Sequence, residues 1–213
     1  MGQVVKKLRS VKVLAGNASR AVLSMFRRLG LSLCGAAALL WSDCASAGNS
    51  PWSATLYVGP SSTQFVTQIL SGNFDVNGGM VGLAVDRGLF KLGDGISLAA
   101  ELQVTDFFGK YAYQTGAFGL GFRFDEFPWS DTFPMSLAVY TGPSYAPNAP
   151  LILDPQPHQD PKFLNYISLE FAAPINNDWD AALRIYHRSG AWGVYSNTAD
   201  VGSVIGIGLR RRF

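Results

Sequence analysis

The sequence has little of what marks several common protein classes. Its two cysteines, Cys34 and Cys44, both precede residue 48, so the rest of the chain can form no disulfide, thiolate metal site or cysteine nucleophile. That part also has no apolar run of about 20 residues, which excludes a helical membrane protein. Its one basic cluster is Arg210-Arg211-Arg212, too small to support nucleic-acid binding.

The first 47 residues form a separate segment. Seven lysines and arginines are followed by an apolar run from Leu29 to Trp41 and then by Ala45-Ser46-Ala47. This order is typical of a secretory signal peptide, so we expect residues 1–47 to be a signal peptide and 48–213 the folded domain. Met25 begins a segment of ordinary signal length, which favours it as the true start. A disordered basic arm is the alternative.

The remaining chain carries ten Lys and Arg against fourteen Asp and Glu, so its net charge is −4 although the whole sequence has +2. Its apolar residues recur at every second position, the period of a β-strand. We predict eight strands: Trp52 to Pro60, Gly79 to Gly88, Ile96 to Phe107, Tyr113 to Phe124, Phe133 to Gly142, Lys162 to Ala173, Trp179 to Ser189 and Ser203 to Phe213. Segment 61–77 could hold a short helix or extend the first strand, and the proline-rich segment 143–161 must be a loop.

The alternation indicates an inverted barrel. In the last strand the odd set holds Ile205, Ile207 and Leu209, while the even set holds glycines and arginines. Small and charged residues suit a narrow interior, and the apolar set suits lipid. The sequence therefore predicts an eight-stranded antiparallel transmembrane β-barrel of the bacterial outer membrane, with long loops 61–77 and 143–161 outside the cell.

The predicted interior is filled with charge. By parity, five charged residues from four strands point inward, and we expect them to form a paired network that leaves no pore. These residues are Glu101, Arg123, Glu170, Arg184 and Arg188.

Two residues with nucleophilic chemistry lie on the apolar face of the seventh strand. His187 and Ser189 have the same parity as Leu183 and Ile185. Alternate residues of a strand have Cα atoms about 6.5–7 Å apart on one face, so the imidazole can reach the hydroxyl. A serine activated by histidine is the minimal unit of acyl transfer. At the outer-leaflet end of a barrel, its substrate would be a membrane ester.

The segment Arg184-Ile185-Tyr186-His187-Arg188-Ser189-Gly190, followed by a last strand that ends in Phe213, resembles the outer-membrane lipid A 3-O-deacylase (PagL-type) and acyloxyacyl-hydrolase-like family. The resemblance implies an esterase that removes an acyl chain from lipid A of the outer leaflet, with His187 as base and Ser189 as nucleophile. The family has an asparagine after the serine and an acidic residue about a dozen positions later. This chain has Gly190 and no glutamate there. We therefore expect Asp200 to orient the histidine, and amides near Gly190 or the Asn197 side chain to bind the oxyanion.

The alternative is a non-enzymatic small barrel with a structural, adhesive or surface-binding role. His187 and Ser189 would then be interfacial polar residues beside an aromatic girdle. His158 is expected to be a solvated loop residue. The sequence predicts no cofactor, no metal site and no nucleic-acid partner, and it leaves open whether the chain forms a homodimer.

Overall fold

The computed structural model of the protein describes residues 52–64, 66–72, 75–149, 162–191, 193–196 and 202–213. Eight antiparallel strands follow one another around a closed barrel, and the last strand pairs with the first. The elements are β1 (Trp52–Ser62), α1 (Val66–Leu70), β2 (Gly78–Gly93), β3 (Ile96–Gly109), β4 (Tyr113–Phe124), β5 (Ser136–Tyr145), β6 (Phe163–Pro174), β7 (Trp179–Ser189) and β8 (Gly202–Arg212). The predicted fold class is confirmed. The predicted signal peptide lies outside the described residues.

The bounds of two strands differ most from the prediction. The second was expected to end at Gly88, but β2 continues to Gly93. The fifth was expected to begin at Phe133, but β5 begins at Ser136.

The fifth strand was also expected to end at Gly142, because prolines disfavour a ladder, but β5 continues through Pro143 to Tyr145. Pro143 pairs with Asn165 on β6, and the register with β4 is interrupted between the pairs Ala117–Ser144 and Leu120–Thr141. Since proline lacks an N–H, one ladder position is lost, and the strand continues on either side of it.

The barrel is apolar outside and charged inside. Leu102 and Ile207 on the outer wall are 64% and 68% exposed, whereas Glu101 and Arg184 are each 1% exposed. This inversion of the usual polarity is expected of a barrel that crosses lipid. Among the described residues, none of the helices is long and apolar enough to span a membrane.

Ion pairs cross the interior. Arg184 on β7 pairs with Glu101 on β3 and, at 2.8 Å, with Glu170 on β6. Arg123 lies 3.6 Å from Glu170, so these four members of the predicted network are confirmed. The fifth, Arg188, is also buried in the lumen.

The network is larger than the sequence predicted. Asp86 pairs with Arg123 at 2.9 Å, and Arg210 bridges Asp180 at 2.6 Å and Glu170 at 3.4 Å. Arg188 lies further along the lumen, where it donates to the Ser144 hydroxyl at 2.9 Å. The ion pairs thus join six strands, β2, β3, β4, β6, β7 and β8, across the barrel.

The described residues of the β1–β2 connection make hydrogen bonds at its base. The sequence left two possibilities here, and both occur, since β1 extends to Ser62 and α1 follows. The Asn77 amide donates to the Ser61 carbonyl at 2.9 Å, which closes the base of the connection. The connections β3–β4, β5–β6 and β7–β8 leave the barrel at this same end, so the connection lies beside the end of β7.

Candidate functional site

His187 and Ser189 lie on the outer wall at the end of β7. The strand alternates strictly, with Tyr186 and Arg188 buried in the lumen and His187 and Ser189 partly exposed between and after them. Both candidate residues therefore share the apolar face, as the sequence predicted. Among the described residues no hydrogen bond joins the two side chains, and each has a polar neighbour on an adjacent strand.

The neighbour of His187 is Ser203 on β8. The two residues are directly opposite in the β7–β8 register, and His187 Nδ1 lies 2.9 Å from Ser203 Oγ. Ser203 Oγ in turn donates to the backbone carbonyl of Gln64 at 3.0 Å. Ser203 has outward parity but is only 1% exposed, and its contact with Gln64 places the β1–β2 connection over it.

The neighbour of Ser189 is Asn165 on β6, its direct partner in the register. Residues opposite each other in an antiparallel pair have Cβ atoms about 4.5–5.5 Å apart. Asn165 also has outward parity and is only 7% exposed. Its side-chain amide lies beside Thr141 Oγ1 on β5, whose single hydrogen has both Asn165 Oδ1 at 3.2 Å and the Tyr166 carbonyl oxygen at 3.1 Å as acceptors, and the amide group can itself donate from its nitrogen.

These five residues form a polar band across four neighbouring strands, which we call the outer polar row: Ser203, His187, Ser189, Asn165 and Thr141. From this row towards the opposite end of the barrel, the next outer positions of β7 and β8 are apolar, as at Leu183, Ile185 and Ile207. Polar side chains on a lipid-facing wall cost free energy, and they are commonly functional where they occur.

The remaining predicted site residues have different outcomes. Gly190 is buried, and its carbonyl accepts hydrogen bonds from the amides of Tyr195 and Ser196 at 3.1 and 3.3 Å, so the chain turns back directly after Ser189. Asp200 and Asn197 lie outside the described residues, as does His158. Their predicted roles stay predictions.

Ser203 and Asn165 were not predicted as site residues. Their outward parity was visible in the sequence, but parity gives only the face of a strand. The partner of His187 follows from the β7–β8 register, and that of Ser189 from the β6–β7 register. The short β6–β7 connection, 175–178, is the one sequence signal that could have fixed a register, because a short turn limits the ways two strands can pair.

Ser203 is a poor nucleophile candidate although it touches the imidazole. A nucleophilic serine must give its proton to the base, whereas the Ser203 hydroxyl donates to a carbonyl. Its 1% exposure also keeps a substrate ester away from Oγ. Ser189 is partly exposed and remains the better candidate. Within the part of the chain described, no three His, Cys, Asp or Glu side chains are grouped to hold a metal ion.

No family model and no curated relative matches the sequence. Solved structures do match. The outer membrane enzyme PagL is 11% identical with a TM-score of 0.53, covering 76% of this chain and 99% of that chain. Neisserial surface protein A is 9% identical with a TM-score of 0.49, covering 78% and 99%. The N-terminal β-barrel domain of Pseudomonas aeruginosa OprF is 11% identical with a TM-score of 0.45, covering 78% and 100%.

The chain has the fold of the small outer-membrane barrels. At 11% identity, the likeness to PagL shows the fold alone and carries no activity to this chain. The shared fold agrees with the apolar wall and charged interior, and the predicted location in the bacterial outer membrane is confirmed.

Proposed function

We propose that the chain is an outer-membrane esterase that removes an ester-linked acyl chain from lipid A of lipopolysaccharide. Ser189 is the nucleophile and His187 the general base. The outer polar row carries this proposal, because it brings a histidine, a partly exposed serine and an amide donor together on a wall that is otherwise apolar. The family resemblance of segment 184–190 and the fold shared with the enzyme PagL support it.

The reaction would proceed by acyl transfer. Ser189 Oγ attacks the ester carbonyl of the lipid while His187 accepts the hydroxyl proton, and a tetrahedral oxyanion forms. The bond between the acyl carbon and the alkoxy oxygen of lipid A then breaks, and the imidazolium gives its proton to the leaving alkoxide. Water, deprotonated by His187, attacks the acyl-enzyme. The bond from the acyl carbon to Ser189 Oγ breaks, the imidazolium returns the proton to Oγ, and the fatty acid is released.

Asn165 is the candidate oxyanion donor in this scheme, in place of or beside the predicted Gly190 and Asn197. Its side chain stands opposite Ser189 in the β6–β7 register, so that the amide nitrogen can donate towards the reacting carbonyl. A preorganised amide donor of this kind stabilises developing negative charge without reorganisation during the reaction.

The location on the outer wall fits a substrate that stays in the membrane. An ester bond of lipid A lies near the boundary between acyl chains and headgroup, and the outer polar row lies near the end of β7 with apolar wall below it. A soluble ester would instead have to approach a surface that faces lipid. The proposal therefore names a lipid substrate, and the predicted external orientation of this barrel end makes it a lipid of the outer leaflet.

The test is mass spectrometry of lipid A from cells that express the wild type, Ser189→Ala or Ser71→Ala. The wild type should remove one acyl chain, seen as a fixed mass loss, and Ser189→Ala should abolish it. Ser71→Ala is the matched control, because Ser71 is an exposed loop serine and its loss should change nothing. Lipid A that is unchanged by the wild type, with folded barrel in the membrane, would refute the proposal and favour a non-enzymatic barrel. Equal activity in Ser189→Ala would refute the assigned nucleophile.

A further inference from the structure

The contact of His187 with Ser203 determines which ring nitrogen carries the proton. Ser203 Oγ lies 3.0 Å from the Gln64 carbonyl oxygen and 2.9 Å from His187 Nδ1. A serine hydroxyl has one hydrogen, and a carbonyl oxygen can only accept. Two oxygens at 3.0 Å attract each other only when a hydrogen lies between them, so the Ser203 hydrogen points to Gln64.

The hydrogen in the other contact must then come from the ring. With its own hydrogen directed to Gln64, Ser203 Oγ can only accept from His187. We therefore propose that Ser203 and the Gln64 carbonyl hold neutral His187 as the Nδ1–H tautomer, which leaves Nε2 unprotonated as the basic nitrogen. Ser203 is a positioning residue, and it does not react.

The Ser203 hydroxyl and the Gln64 carbonyl form a hydrogen-bond relay. This relay has the function that the acidic residue has in a Ser/His/acid triad. That residue accepts from Nδ1–H, fixes the ring orientation and leaves Nε2 to take the proton of the nucleophile. The catalytic consequence rests on the proposed function, whereas the tautomer itself does not. The relay assigns to Ser203 the orienting role that the sequence analysis gave to Asp200.

Two hydrogen bonds made by other atoms of Gln64 hold its backbone carbonyl in place. The Gln64 amide donates to Ser62 Oγ at 3.1 Å, and Gln64 Oε1 accepts from the Asp75 amide at 2.7 Å. These bonds join the start and the end of the β1–β2 connection at the point where it meets β8. The orientation of His187 therefore depends on a loop that the chain forms more than a hundred residues earlier.

The tautomer can be measured directly by NMR. The chain has two histidines, so His158→Gln leaves His187 as the only source of imidazole signals after selective 15N-histidine labelling. The barrel is studied in lipid nanodiscs at a pH where the ring is neutral, and the two 15N shifts and their coupling to ring protons identify the protonated nitrogen. We expect the Nδ1–H form in this background and a shift to mainly Nε2–H, which free histidine favours, when Ser203→Ala is added.

Two further variants complete the test. Ser203→Thr keeps a hydroxyl and should keep the Nδ1–H form, and Asp200→Asn should leave the tautomer unchanged. An Nε2–H ring in the background protein, no change in Ser203→Ala, or a change in Asp200→Asn alone would each overturn the proposal. An unaltered backbone amide spectrum of each variant establishes that the barrel is folded.

Activity gives a separate readout. Ser203→Ala should lower kcat by about 10- to 100-fold, part of the ~10²- to 10⁴-fold that a general base contributes. KM should change little, and Ser203→Thr should restore most of kcat. If lipid A is never deacylated, the proposed function fails while the tautomer result stands. If Ser189→Ala abolishes activity but Ser203→Ala retains full kcat, the positioning role fails and the esterase stands.

Discussion

Arg184 is the residue whose loss should destabilise the barrel most. It donates from Nη1 to Glu170 at 2.8 Å, pairs through Nη2 with Glu101, and also reaches Ser168 Oγ at 2.9 Å. Arg184, Glu101 and Glu170 are each 1% exposed. In Arg184→Met a side chain of similar length fills the space, so that the change removes charge and hydrogen bonds and leaves the packing volume nearly constant.

The magnitude follows from the carboxylates left behind. Removing one partner of a buried ion pair costs about 3–5 kcal/mol, because an uncompensated charge stays in a low-dielectric site. Glu170 keeps Arg210 at 3.4 Å and Arg123 at 3.6 Å, whereas Arg184 is the one ion-pair partner of Glu101 among the described residues. Most of the cost should therefore arise at Glu101. Arg184→Met with Glu101→Gln should recover about 1–3 kcal/mol, the range of coupling between contacting residues.

The assay is urea unfolding in lipid vesicles, followed by tryptophan fluorescence. With a slope of about 2 kcal/mol per M, the midpoint of Arg184→Met should fall by roughly 1.5–2.5 M. Arg212→Met is the control, because the Arg212 side chain is 40% exposed and its partner Asp180 keeps Arg210 at 2.6 Å, so that the change leaves no buried carboxylate without a cation. Equal midpoints for the two variants, or no recovery in the double variant, would refute the account of the interior.

Two predictions concern single positions on β6 and β4. Asn165→Leu should lower kcat by about 10²- to 10³-fold with KM little changed, the usual effect of removing an oxyanion donor; a loss confined to KM in the lipid A assay would exclude that role. Gly121→Ala should destabilise the barrel by about 1–3 kcal/mol, because its Cβ would lie 1.8 Å from the Val139 carbonyl oxygen. Gly116→Ala, where a Cβ meets nothing within 4 Å, should not. Similar urea midpoints would contradict this difference.

The fold was predictable because lipid and lumen impose opposite requirements on alternate residues. On β7, Leu183 and Ile185 share one parity and Arg184 the other, and the structure places them outside and inside as predicted. The same reasoning assigned Glu101 and Glu170 to the interior before any pairing was known. Parity depends only on neighbouring residues, so the sequence contains it in full.

Strand ends were less predictable, because they depend on the neighbouring strands. Pro143 argued for a loop, yet it pairs with Asn165 on β6, and the pairing is interrupted on the β4 side instead. The Arg210–Asp180 pair was likewise not foreseen, since it joins β8 and β7 through their register. Each of these features is a property of two strands together.

In the candidate site too, the features within one strand could be predicted and those that depend on adjacent strands could not. His187 and Ser189 lie on one strand, so their spacing and shared face could be predicted. Their neighbours Ser203 and Asn165 lie on adjacent strands, and the Gln64 carbonyl that accepts from Ser203 is 139 positions away in the chain. A hydroxyl in an alternating strand has no sequence pattern that marks it as the partner of a histidine. The nucleophile and base were therefore accessible to sequence reasoning, whereas the group that sets the histidine's tautomer becomes visible only when the barrel closes and the β1–β2 connection reaches β8.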